Sequence, residues 1–121
     1  MNSNVVSTVE RGEIYWLDWN PARGSEQSGR RPALIVQTDN ANQKSQYPLT
    51  IVIAVSTQGR PIPFHVRVEP TSANGLTVVS FIKCEQIQTT SKDRLMRRIG
   101  RVDDAIMSQV DQAIKQVLSL P

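Results

Sequence analysis

Hydrophobic and polar positions alternate in short segments over most of the chain, and the period lengthens to a helical one only toward the C-terminus. Glu10–Trp19 reads as a first strand with Ile14, Trp16 and Leu17 apolar; Asn20-Pro21 ends it, because proline has no amide to give a sheet ladder. Pro32–Gln37 is a continuous apolar run, the pattern of a strand covered on both faces. Leu49–Val55 is the segment richest in β-branched residues and predicts the central strand. Phe64–Glu69 alternates, with Phe64, Val66 and Val68 on one face and His65, Arg67 and Glu69 on the other. Pro70–Gly75 turns the chain, and Leu76–Cys84 returns as a further strand. Asp39–Pro48 and Ser56–Pro63 are polar connections. Ser91–Met96 predicts a short helical turn capped by Ser91, and Arg97–Val102 a small strand. From Asp103 onward Ile106, Val110, Ile114, Val117 and Leu118 fall at helical spacing, with Asp103 or Asp104 as N-cap. Five or more short strands and one terminal helix predict a mainly β (α+β) domain: a small, strongly curved sheet or SH3-like barrel closed by the helix.

The 121 residues suffice for one domain with a real core. Residues 1–9 have neither a basic n-region nor an apolar h-region, so they read as a flexible tail rather than a signal peptide, leaving 10–121 as a single domain. No apolar run approaches the roughly 20 residues of a membrane span, which predicts a soluble, cytoplasmic protein with no membrane partner. The lone cysteine, Cys84, excludes an internal disulfide or thiolate cluster and by default is a small buried hydrophobe. The single histidine, His65, leaves no pair for a metal, so neither metal nor cofactor is expected. A net charge of +3 permits an anionic partner without requiring one. The charge is uneven: Lys83, Lys92, Arg94, Arg97, Arg98 and Arg101 stand against Glu85 and Asp93, a local balance of +4. That stretch is a candidate phosphate-binding patch, with a merely solvated basic face as the plain alternative.

Candidate chemistry centres on Gly24–Pro32, read Gly-Ser-Glu-Gln-Ser-Gly-Arg-Arg-Pro. Glycines and serines make it a surface loop, and Arg30 and Arg31 enter a strand beside Pro32, whose ring restricts the preceding backbone. Guanidinium groups present planar forks of donors suited to phosphate oxygens. Ser56-Thr57-Gln58 follows the central strand directly and sets hydroxyls at a strand end; Lys83-Cys84-Glu85-Gln86 follows another strand. Trp16 reads as core, whereas Trp19, outside the clearest alternation, is the better stacking surface for a base.

Arg11-Gly-Glu-Ile-Tyr-Trp16, Gly24-Ser-Glu-Gln27, Arg31-Pro32 and a strand ending in Ser56-Thr57 together resemble the MazF/PemK family of toxins. Cys84-Glu-Gln86, Thr89, Arg94-Leu95, Asp103-Asp104 and the terminal helix continue the resemblance in order, over about Glu10 to Leu120. The resemblance implies an SH3-like barrel of the MazF/PemK/CcdB type that forms homodimers in the bacterial cytoplasm. It further implies metal-independent, sequence-selective cleavage of single-stranded RNA, held in check by a cognate antitoxin lying over the RNA groove. Residue by residue, it makes Arg31 the main catalytic arginine and Ser56 its paired hydroxyl, where many relatives have threonine and where Thr57 is the adjacent alternative. Gly24, Ser25, Glu26, Gln27, Arg30, Thr57, Gln58, Lys83, Glu85 and Gln86 are then RNA-binding candidates, with Glu26, Gln27 and Gln86 suited to base edges. The PemK branch has arginine and aspartate where this chain has Lys83 and Glu85, and histidine where it has Ser25, which favours the MazF-like arrangement. Two other readings share the architecture: a CcdB-like gyrase-poisoning toxin and a non-catalytic SH3-like RNA-binding module.

Overall fold

The structure, a computed structural model, describes residues 8–121, and within them the strands form one six-stranded antiparallel sheet. The strands are β1 (Glu13–Asp18), β2 (Arg30–Ile35), β3 (Leu49–Ser56), β4 (His65–Val68), β5 (Ser80–Ser91) and β6 (Leu95–Arg101). A one-turn helix α1 (Asp39–Asn42) interrupts the connection before β3, and α2 (Asp104–Leu118) follows β6. The spatial order is β4-β5-β3-β2-β1-β6, so the β-branched segment chosen as central is indeed interior.

Each face of this sheet carries its own core, which is why β2 and β3 read as nearly continuous apolar runs. One core gathers Ile14, Leu34, Ile53, Val55, Val66, Ile82, Cys84, Met107 and Val110. The other gathers Val9, Tyr15, Leu17, Trp19, Ala33, Ile35, Val52, Ala54 and Leu95. Adjacent residues along β2 and β3 thus point into opposite cores, as the two-residue period of a strand requires. Helix α2 covers the first core by packing on β4 and β5. Its N-cap is Asp103, whose carboxylate accepts from the Ile106 N–H at 2.9 Å, while Leu118 at its end is exposed. Val9 is buried, so packing begins inside the stretch expected to be a tail; residues 1–7 of that stretch lie outside the described residues.

Three features depart from expectation. The segment Leu76–Cys84 is not a strand from its start: β5 begins at Ser80 and runs on to Ser91, carried by Ile87, Thr89 and Thr90. Lys83–Gln86 therefore lies inside a strand rather than after one. The Ser91–Met96 turn is a 3₁₀ turn at Lys92–Arg94, and the Ser91 side chain makes no capping bond. Lys92 is buried, not part of a basic surface: its ammonium donates to the Asn42 carbonyl at 2.9 Å and the Lys44 carbonyl at 3.2 Å. Asn42 bonds both Gln37 and Thr50 as well, so one buried polar node ties α1 to β3 and the end of β5.

Cys84 is fully buried, and burial, reinforced by the charges of Glu85 and Asp111, pushes its thiol up to about 12. At pH 8 only about one thiol in ten thousand would be thiolate. The folded protein is expected not to react with iodoacetamide at that pH, with labelling appearing only across the urea unfolding transition. Rapid labelling without denaturant, followed by mass spectrometry, would contradict this burial.

Candidate active site

The β2–β3 ladder frames the site. Ala33 pairs with Ala54, Leu34 with Ile53 and Ile35 with Val52; Arg31 and Ser56 lie two residues beyond the last of these pairs, where the two strands leave the ladder. On its other side Arg31 pairs with Leu17 of β1, and the Trp19 indole N–H donates to the Arg31 carbonyl at 3.2 Å. The backbone beneath the guanidinium is therefore held from the β1 side. The guanidinium itself is exposed and, among the described residues, makes one bond, Nη1 donating to the Arg30 carbonyl at 2.9 Å. Among the described residues no carboxylate pairs with it. An arginine anchored by its backbone and left uncompensated keeps most of its donor fork for an external anion. Ser56 Oγ accepts the Gln58 N–H at 3.0 Å, a turn that closes β3 and leaves the hydroxyl proton free to be donated.

Arg31, Ser56 and Thr57 line one groove of about 380 Å³, together with Trp16, Pro32, Leu76, Val78 and Arg97. A second, smaller groove of about 240 Å³ is lined by Trp19, Glu26, Gln27, Glu85 and Gln86. The partition between them is Gln27: its Nε2 donates to the Val55 carbonyl at 2.8 Å, and its backbone N–H donates to Gln86 Oε1 at 2.6 Å. Gln27 is buried, so much of its amide secures the Gly24–Gly29 loop to β3 and β5. The sequence candidates thus divide into a hydroxyl–guanidinium groove and a carboxylate–amide groove. Gly24, Ser25, Arg30, Gln58 and Lys83 line neither. Gly24 and Ser25 shape the loop, where Gly24 takes φ +57°.

The second groove owes its shape to a bulge in β5. Ile53 pairs with Ile87, yet the next residue, Ala54, pairs with Lys83. Cys84, Glu85 and Gln86 are thereby surplus to the ladder with β3 and bow out toward the loop. His65 fixes one of them: its Nδ1 accepts the Arg60 N–H at 3.1 Å, so Nε2 carries the proton and donates to Glu85 Oε2 at 2.7 Å.

The two tryptophans exchange the roles expected of them. Trp19 is buried in the second core, although it borders the smaller groove, while Trp16 is only half-buried and walls the larger one. Period-two alternation puts Trp16 on the Ile14 face, but α2 packs on β4 and β5 and leaves this stretch of β1 open. Most of the basic patch is also consumed internally. Arg98 bonds Glu13 at 2.6 Å, Arg101 bonds Glu10 at 2.7 Å, and Arg94 donates to the carbonyls of Asp18 and Asn20. Arg97, a groove residue, is legible in sequence only as one of six similar cations.

A six-stranded antiparallel sheet with a C-terminal helix is the fold that this chain shares with solved MazF toxins. A solved mycobacterial structure described as an endoribonuclease in complex with its cognate antitoxin superimposes with a TM-score of 0.78 at 27% identity, covering 94% of this chain and 98% of that one. Endoribonuclease EndoA of Bacillus subtilis is 38% identical over 112 residues, covering 93% of this chain and 96% of its own length. Endoribonuclease MazF9 of Mycobacterium tuberculosis is 39% identical over 116 residues, covering 93% and 98%. The family model described as PemK-like, MazF-like toxin of type II toxin-antitoxin system matches residues 10–118, and the chain belongs to that family. Among the described residues no helix is long and apolar enough to cross a membrane.

Proposed function

We propose that this protein is a toxin endoribonuclease that cuts single-stranded RNA, messenger RNA in the cell, at particular sequences and without a metal ion. The observation that carries the reading is the exposed Arg31 guanidinium, with which no carboxylate among the described residues pairs, lining one groove with Ser56. RNA brings its own nucleophile. The ribose 2′-oxygen bonds to the adjacent phosphorus, the bond from phosphorus to the 5′-oxygen breaks, and the products are a 2′,3′-cyclic phosphate and a 5′-hydroxyl. The 2′-hydroxyl gives up its proton and the departing 5′-oxygen gains one. Arg31 and Ser56 donate to the non-bridging oxygens as negative charge accumulates there. An arginine stays protonated at neutral pH, so Arg31 serves as charge and donor rather than as base. Glu26, Glu85 and Gln86 border a groove next to this centre, where unstacked bases expose their edges. In this reading the protein acts in the bacterial cytoplasm as a homodimer, and a cognate antitoxin silences it by covering the groove.

The test is digestion of a long single-stranded RNA by the purified full chain in EDTA. Discrete fragments ending in 2′,3′-cyclic phosphate and 5′-hydroxyl are expected. Intact RNA across several transcripts, with growth arrest that depends instead on DNA gyrase, would replace this reading with that of a gyrase poison.

A further inference from the structure

The larger groove holds a second arginine that the internal pairings leave over. Of the six cations between Lys83 and Arg101, Lys92 is buried on two carbonyls, Arg94 is bound to two others, and Arg98 and Arg101 meet Glu13 and Glu10. Lys83 lies on β5 outside both grooves. Arg97 alone of the six lines the groove of Arg31 and Ser56; it is exposed, and no carboxylate among the described residues pairs with it.

The strand order makes this placement a track. Ser56 ends β3, Arg31 is the second residue of β2, Trp16 sits in β1 opposite Pro32, and Arg97 lies in β6. The β1–β6 register, Tyr15 with Arg98 and Leu17 with Leu95, brings Trp16 beside the Met96–Arg97 step. Four adjacent strands thus present hydroxyl, guanidinium, indole and guanidinium in spatial order along one groove. Neighbouring strands are about 4.8 Å apart, and Arg97 stands two residues, about 7 Å, beyond Leu95, which is level with Arg31 through Leu17, so the two backbones are roughly 12 Å apart. Two long side chains reaching toward each other across that separation can hold neighbouring phosphates of one strand, and the aromatic wall between the cations offers a base a stacking surface.

We infer that Arg97 is a phosphate-binding residue that holds the backbone of the single strand one nucleotide away from the Arg31–Ser56 centre, so that the strand crosses the sheet from β3 toward β6. The inference rests on the RNA-cleaving reading for its substrate. Arg97 touches a neighbouring phosphate rather than the reacting one, so it acts on binding and not on the chemical step.

The experiment uses two probes on the full chain: a single-stranded DNA oligonucleotide, which lacks the 2′-hydroxyl and is not cut, and the RNA of the same sequence. DNA affinity is followed by fluorescence anisotropy from low to moderate salt, and RNA cleavage by steady-state kinetics, for Arg97→Gln, Arg97→Lys and Arg67→Gln. Arg67 is an exposed arginine on the far edge strand and controls for net charge. Arg97→Gln is expected to flatten the slope of log affinity against log salt by about 0.7, the loss of one phosphate contact on a single strand. It should raise KM about fivefold with kcat within about twofold, since an exposed charge contact contributes modestly to binding. Arg97→Lys should restore the slope, and Arg67→Gln should leave it unchanged. Equal slopes for Arg97→Gln and Arg67→Gln, or a loss confined to kcat, would overturn the inference. A wild-type protein that cuts no RNA yet loses the DNA slope in Arg97→Gln would sink the cleaving reading and leave the Arg97 contact standing.

Discussion

Replacing Arg31 by alanine is expected to lower RNA cleavage by about a thousandfold while leaving the fold intact. Removing one preorganised donor from a developing oxyanion typically costs 10²- to 10³-fold, and a transition-state arginine at a phosphoryl group costs about 10³- to 10⁵-fold. The thermal midpoint should stay near that of the wild type. The Arg31 side chain is exposed and, among the described residues, bonds only the neighbouring carbonyl, and such surface changes usually stay within about 0.5 kcal/mol. The bonds that hold the strand come from its backbone, which alanine keeps. Arg31→Lys separates charge from geometry: it preserves the cation but loses the planar fork, so it should recover only part of the rate. Cleavage by Arg31→Ala at the wild-type rate, measured by single-turnover assay on a folded sample, would remove Arg31 from the chemistry.

Gly75→Ala should have the largest effect on stability, lowering it by about 3–4 kcal/mol, from left-handed strain of about 1–3 kcal/mol and a backbone clash of similar size. Gly75 sits at φ +70°, and a Cβ there would be driven into the carbonyl and side chain of Ile99. The neighbour cannot yield, because the 71–75 turn rides directly on β6. The Arg101 N–H donates to the Ala73 carbonyl at 2.9 Å, and the Asn74 amide bonds Thr71, Leu76 and Glu69. Gly100 is the other half of this contact, since a Cβ there would meet the backbone of Ala73 and Asn74. A loss of that size corresponds to a fall of roughly 10–20 °C in Tm for a domain of this length. Gly24→Ala is the control, since nothing lies within 4 Å of its added Cβ and only the φ strain, about 1–2 kcal/mol, remains. Equal melting of the two variants would show that the turn does not ride on β6 as described. Gly75 also borders the larger groove, so its substitution disturbs one wall of the proposed active site.

The elements that patterning identifies are those whose burial is set by their own sequence. The apolar runs at β2 and β3 were legible because two cores flank them, and α2 because its cap and period agree. What patterning misses depends on distant segments. Lys92 looks like any surface lysine until α1 folds two carbonyls over it. Trp16 is left half-buried because α2 comes to rest on β4 and β5, and Trp19 is buried by the second core on the other face. The bulge in β5 is invisible because Lys83–Gln86 contains no glycine or proline to mark it; only the pairing with β3 reveals three residues in excess. Arg31 and Ser56 were named through resemblance, and the structure lines one groove with both. Arg97 needed the opposite logic, the elimination of every neighbouring cation that the fold already occupies.

The bulge has a consequence for how this chain can vary. The ladder resumes on both sides of Cys84–Gln86, with Ile53 against Ile87 and Ala54 against Lys83. A strand that already stores slack at one point can take up or release a residue there with its two flanks undisturbed, whereas an insertion anywhere else would slide one face of side chains onto the other. Length changes at this point would reshape the carboxylate–amide groove and leave the groove of Arg31 and Ser56 alone. If bases are read in the former and RNA is cut in the latter, as proposed, small insertions and deletions in β5 alter the one without rebuilding the other.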